Sequence, residues 1–214
     1  MTGIIFTYPP DYLAASFAAR SLAALGVRPL LAIHKDDPPL HIDGAQIIRT
    51  RAPRQGNLNG KPFIREALEL MRDHSDGTHI LKLDSDSLVF RLDWLAGKEE
   101  TGIGLHHAEH RAFYGFCYAL RTDRLGDLIT AMHLLPDGHL HNEDVAIGTL
   151  AAHCGGVFRY QNLTPENRLG AYKWSTARDP AWWRTRYDAL CFQRTDGKNR
   201  RNVTGKMNEF LPAS

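Results

Sequence analysis

His79-Ile80-Leu81-Lys82-Leu83-Asp84-Ser85-Asp86-Ser87-Leu88-Val89 is a β-rich, mainly apolar run, interrupted by two carboxylates one residue apart and resumed at once by Leu88-Val89. Two acids set into an otherwise buried segment are costly unless a cation or another partner compensates them. Open parallel sheets bind ligands beyond the carboxyl ends of their strands, which is where Asp84 and Asp86 fall if His79–Leu83 is a strand. Their oxygens are the hard donors that Mg²⁺ or Mn²⁺ takes, and a cation there would neutralise a diphosphate.

The segments before this run supply the rest of a sheet. Gly3 to Tyr8 reads as a first strand, closed by the breaker Pro9-Pro10 and followed by a long Ala/Leu helix to Leu25, with Gly26 suited to its C-cap. Pro29–His34 and Ala45–Thr50 are further apolar runs, and Lys61–His74 carries Phe63, Ile64, Ala67, Leu68 and Met71 at helical spacing. Continuous apolar strands separated by helices predict a mainly parallel sheet covered on both faces. No internal repeat is visible, and the order loosens after Asn162, so the last fifty residues read as a C-terminal appendage.

The chain has 214 residues, 43% hydrophobic and 23% charged, which predicts one α/β domain able to bury a core. No apolar run reaches the roughly 20 residues of a bilayer span, and the opening residues lack a basic and apolar leader, so a soluble, cytoplasmic protein is expected. Cys117, Cys154 and Cys191 form no CxxC pair and read as ordinary thiols. The net charge of +2 is uneven, because residues 168–214 hold ten Lys or Arg against four acids. This basic extension is either a solvated face or a patch for a polyanion such as nucleic acid, a phosphorylated glycan or an anionic lipid surface.

Ile80-Leu81-Lys82-Leu83-Asp84-Ser85-Asp86 resembles the strand and Asp-x-Asp motif of GT-A glycosyltransferases. The resemblance implies a Rossmann-like α/β fold with the nucleotide-sugar donor held on residues 1–100, the acceptor on 101–165, and the basic extension over 166–214. It implies that Asp86 touches a Mn²⁺ or Mg²⁺ ion directly, while Asp84 contacts the ribose or the metal through water, with Ser85 between them. It extends to the first strand, where Thr7 and Tyr8 would line the donor, and to the stretch Arg54 to Lys61, where Arg54, Asn59 and Lys61 would contact base or phosphates. By the same resemblance the activity is hexosyl transfer from a nucleotide-sugar, with uridine diphosphate as leaving group, to an acceptor hydroxyl. The acceptor is a glycan or another hydroxyl-bearing molecule, and an anionic one, nucleic acid included, would suit the basic extension.

His141-Asn142-Glu143-Asp144-Val145 resembles the Glu-Asp-Val motif that opens a late helix in several inverting sugar transferases. An inverting transfer needs a carboxylate beside the acceptor hydroxyl to take its proton; Asp144 is the first candidate and Glu143 the second. The plainer reading is a helix capped by Asn142, with two acids complementing its dipole. Tyr114–Leu120 resembles the strand of the acceptor-side wall and precedes a helix from about Arg124. The family's late histidine ligand has no counterpart beyond His153, which reads better as a helix-surface residue.

Three further features admit other chemistry. His106, His107 and His110, with His139 and His141, line a pocket or form a zinc cluster. Trp174, Trp182 and Trp183, among Arg178, Arg184 and Arg186, stack on a sugar or base or pack in the core, and Asp179-Pro180 predicts a helix start that turns one of the adjacent Trp residues inward. A nucleotidyltransferase shares the acidic metal site, but Thr7-Tyr8-Pro9-Pro10 is not its Gly-rich loop; a noncatalytic nucleic-acid-binding module would use the extension and leave the strand acids unexplained.

Overall fold

The structure is a computed structural model and describes residues 1–51, 60–106, 113–136, 142–160, 168–176, 178–192 and 200–211. Its strands are β1 (Thr2–Phe6), β2 (Arg28–His34), β3 (Gln46–Thr50), β4 (His79–Asp84), β5 (Ser87–Val89), β6 (Gly102–His106), β7 (Phe113–Arg121), β8 (Val157–Tyr160), β9 (Leu169–Ala171) and β10 (Ala189–Cys191). Its helices are α1 (Tyr12–Ala23), α2 (Gly60–His74), α3 (Leu125–Thr130), α4 (Glu143–His153), α5 (Pro180–Arg186) and α6 (Arg200–Glu209).

Seven strands form one sheet in the order β3-β2-β1-β4-β7-β6-β8. Only β7 runs against the others, pairing antiparallel with both β4 and β6. The alternation of side chains divides the core. Ile4, Phe6, Ile80 and Tyr118 face α2, α3 and α4 on one side, where Phe63, Leu125 and Ile147 meet them. Ile5, Leu31, Leu81, Leu83 and Cys117 face α1 and Trp94 on the other. Covering both faces explains why the strands read as unbroken apolar runs. Burial pushes the Cys117 thiol far above its ordinary range, as suits an inert core residue.

The C-terminal segment closes back on the molecule. β5, which follows Asp86 directly, pairs antiparallel with β10, and β10 pairs parallel with β9, forming a second sheet of three strands. Trp183, Phe192, Met207 and Phe210 build a third apolar cluster there with Leu88 and Ala14. The expected α5 start is present, with the Asp179 side chain accepting from the Trp182 N–H at 2.7 Å and Trp183 buried. Among the described residues, no helix is long and apolar enough to cross a membrane.

Candidate functional site

The carboxyl-terminal edge of the large sheet gathers the acids. Phe6 lies opposite Asp84 in the β1–β4 register, so β1 and β4 end together. β1 ends at Phe6 rather than at Tyr8: the Thr7 N–H still donates to Ala32 O, and the chain then turns at Pro9. Asp84 closes β4, Ser85 and Asp86 form the turn, and β5 begins at Ser87. Asp84 and Asp86 are half-buried, and Ser85 is buried with its hydroxyl 3.5 Å from Asp11 Oδ2. The Thr7 hydroxyl, at the end of β1, is buried with no hydrogen-bond partner among the described residues, leaving a polar atom beside the edge that a ligand can satisfy.

The reversed strand brings the second pair of acids to the same edge. Because β7 runs antiparallel to β4, with Leu83 opposite Cys117, its first residues lie beside the end of β4. There the Gly115 N–H donates to Asp144 Oδ2 at 2.9 Å, while Asp144 Oδ1 accepts from the Val145 N–H at 2.9 Å. A Cβ on Gly115 would stand 3.2 Å from Asp144 Oδ2 and Cβ, so glycine is what lets β7 approach the helix this closely. The plainer reading of a helix capped by Asn142 does not hold, since Asn142 makes no side-chain cap; Glu143 reaches Tyr118, and Asp144 bridges Gly115 and the first turn of α4.

Lys82, two residues before Asp84 and therefore on the same face of β4, joins the two groups. It is only 4% exposed, yet its ammonium donates to Asp84 Oδ1 at 2.6 Å and to Gly115 O, and lies 3.6 Å from Glu143 Oε1. The Tyr118 hydroxyl donates to Glu143 Oε1 at 2.6 Å, and its ring lies beneath the ammonium at 5.5 Å. Burial first, and the Glu143 carboxylate next, push the Tyr118 hydroxyl well above its ordinary range, so it stays a donor. Gly115 and Tyr118 belong to the stretch expected to form the acceptor-side wall, but neither they nor Lys82 stand out individually in the sequence as site residues. The available signal was a lysine inside an apolar strand at i−2 from an acid.

Of the other predicted residues, Tyr8 stays at this edge and the rest fall elsewhere or outside the described residues. Tyr8 follows Thr7 at the sheet edge in extended conformation. Lys61 opens α2 and lines a surface cavity of about 410 Å³ with Pro62, Arg65, Thr130, Met132 and His133, a lining that includes none of the four acids. Arg54 and Asn59 lie outside the described residues, as do His107, His110, His139 and His141; of His106 only the backbone is described. His153 is exposed at the far end of α4, roughly 15 Å along the helix from Glu143 at 1.5 Å per residue, so it is no ligand for a cation at Asp86.

Among the described residues, no cluster of three or more His, Cys, Asp and Glu donors is built for a metal. The chemistry of the two acids nevertheless suits a hard cation shared with substrate phosphates, since Mg²⁺ is commonly held by one or two carboxylates while phosphate oxygens and water complete its shell.

The turn is also fixed from the C-terminal side. Phe192 N–H donates to Asp86 O at 2.8 Å, and Cys191 Sγ lies 3.9 Å from Asp86 Oδ1. Asp188, fully buried, pairs with Arg91 at 2.7 Å and Arg168 at 3.1 Å, clasping the strand after the motif to the extension.

No known family pattern matches the chain, and no curated protein matches it. Solved structures do. The galactosyltransferase LgtC in complex with donor and acceptor sugar analogues superposes with a TM-score of 0.58 at 11% identity, over 98% of this chain and 95% of that one. A glycosyltransferase involved in glycosylation of the major capsid of PBCV-1 gives 0.58 at 10% identity, over 97% and 98%. The apo form of the glycosyltransferase GlyE of Streptococcus pneumoniae TIGR4 gives 0.56 at 13% identity, over 99% of this chain and 60% of that one. Identities this low speak to architecture alone, and that architecture, a seven-stranded, mainly parallel sheet between helical layers, is the GT-A fold.

Proposed function

We propose that the chain is a glycosyltransferase that moves a sugar from a nucleotide-sugar, of the uridine diphosphate type, to an acceptor hydroxyl. The observation that carries this reading is the junction of Asp84 and Glu143 through Lys82 at one sheet edge, with Asp144 beside them on Gly115 and Asp86 in the turn that follows Asp84, in a fold shared with LgtC, whose structure holds donor and acceptor sugar analogues. Asp86 would hold Mn²⁺ or Mg²⁺, with Asp84 turned to the ribose or to the ion through water, and Thr7, Tyr8 and Ser85 would line the nucleotide. When bound, such an ion neutralises charge on the departing diphosphate.

The α4 acids are proposed to serve the acceptor. Both Asp144 oxygens accept main-chain N–H groups, which favours Asp144 as the anchor of Gly115, whereas Glu143, 20% exposed, receives a proton donor from Tyr118 on one oxygen. The contacts therefore move Glu143 ahead of Asp144 as the group that takes the acceptor proton. The extension, tied to the turn through Phe192, supplies the acceptor side.

A thermal-unfolding screen of nucleoside diphosphates and nucleotide-sugars, with and without Mn²⁺, tests the reading. A ligand at 100 times its Kd adds about 2.7 kcal/mol of stability. A Mn²⁺-dependent rise with one nucleoside diphosphate is expected; no response to any of them overturns the proposal.

A further inference from the structure

Lys82 stands where the fold asks for an apolar residue. Its register neighbours are Ile4 and Tyr118, and Ile80 on its own strand joins the core of that face. Burying an ammonium there costs several kcal/mol unless its partners compensate, and the partners are Asp84, the Gly115 carbonyl and Glu143, with the Tyr118 ring closing one side. Those contacts leave the ammonium little room to move away.

We propose that Lys82 is a resident counter-cation of the site, occupying the charge of Asp84 in the nucleotide-free protein so that a divalent cation binds together with the nucleotide rather than to the bare chain. This rests on the reading that Asp84 and Asp86 serve a nucleotide-bound cation. The physical ground is charge competition. A divalent ion approaching Asp84 meets a carboxylate whose Oδ1 already accepts from an ammonium at 2.6 Å, and the two cations repel each other across a half-buried group of lower effective dielectric than water. A diphosphate brings negative charge that offsets the ammonium, and its oxygens complete a shell for which the described residues provide no cluster of three His, Cys, Asp or Glu donors. Lys82 is thus a positioning residue that sets the order of assembly.

The test uses Mn²⁺ alone, with the free ion followed by its electron paramagnetic resonance signal, on the full chain and on Lys82→Met. Removing the ammonium is expected to tighten nucleotide-free Mn²⁺ binding by about tenfold or more. Adding uridine diphosphate should then improve Mn²⁺ affinity less in the variant than in the parent. Should Lys82→Met fail to fold, the charge-balanced pair Lys82→Gln/Glu143→Gln is measured in the same way, with the same direction expected. Metal-alone binding unchanged or weaker in the folded variant overturns the inference and leaves Lys82 as a structural ion pair. The outcomes separate cleanly: a parent that answers to no nucleoside diphosphate defeats the glycosyltransferase reading, whereas the metal-alone comparison decides the counter-cation.

Discussion

The main-chain N–H of Phe192 donates to the carbonyl oxygen of Asp86 at 2.8 Å, so the second acid of the motif is held by a strand from the other end of the chain. The hydrogen bond continues the β5–β10 pairing and makes the turn at Ser85-Asp86 depend on the C-terminal sheet. The clasp below it is Asp188, fully buried between the partly exposed Arg91 and Arg168.

That clasp predicts an asymmetry. Asp188→Asn leaves two arginines free to turn to water and should cost about 1–3 kcal/mol. Arg91→Met with Arg168→Met strands a carboxylate that is 0% exposed, and should cost about 3–5 kcal/mol. Denaturant unfolding of both variants measures the difference. Equal losses would mean that Asp188 is satisfied by the main chain and that the arginines contribute little.

The strands β1 to β4 are legible as unbroken apolar runs and the helix α2 by its helical spacing, with Gly or Pro punctuating the segments between them. The small sheet was not. Its strands have three residues each, too short for any period to show, and β9 and β10 are recognisable only through their pairing with each other and with β5. The two acidic motifs could be read, but not their meeting, which depends on β7 running antiparallel to β4. Lys82 is not legible as a site residue because one lysine in an apolar strand looks like an outward residue, and only the fold shows its ammonium paired with the acid at i+2 on the same face.

Asp86→Ala should abolish the Mn²⁺-dependent stabilisation by nucleoside diphosphate while leaving the ligand-free melting temperature near the parent's, because the side chain is half-buried at a turn and adds little to the core. Thermal unfolding with and without the ligands reads both quantities. A Mn²⁺-dependent rise equal to the parent's would remove Asp86 from the site.

Glu143→Gln should lower turnover by about 10² or more while nucleotide binding persists, as expected for loss of a proton acceptor. Asp144→Asn keeps an oxygen for the Gly115 N–H and should reduce turnover less, by roughly tenfold at most, with the loss arising from a displaced β7. Steady-state kinetics beside a direct nucleotide-binding measurement distinguish the two. The reverse ranking would return the role of base to Asp144.

Burial first, and the Arg121 cation second, push the His79 imidazole below its ordinary range, so the fold holds it neutral. The unfolded chain takes up a proton at about pH 6.5 that the folded one refuses, so stability falls as pH drops below that value and is unaffected by this group above it. His79→Leu should therefore lose less stability between pH 7.5 and 5.5 than the parent. Denaturant midpoints at the two pH values provide the comparison, and parallel losses would show that other groups carry the whole pH dependence.

The basic extension leads to the last prediction, that the acceptor is anionic. Trp183 is core, but Trp182 is only half-buried, with the Arg178 and Arg186 guanidinium groups 5.5 and 5.2 Å from its ring, while Arg184 lies 5.7 Å from Phe90. Arginines resting on aromatic faces keep their charge at the surface with little freedom to lose on binding, which suits an anion contacted beside a stacked ring. Arg184→Gln with Arg186→Gln should then weaken acceptor use and flatten its dependence on salt, because fewer screened charges remain in the encounter. Hydrolysis of the donor without acceptor should stay near the parent rate, since both side chains are exposed and rest on Phe90 and Trp182. Equal use of an uncharged acceptor by parent and double variant, at low and high salt alike, would reduce the extension to a solvated face. Binding of DNA with a steep salt dependence and no sugar-nucleotide turnover would instead make it a nucleic-acid surface.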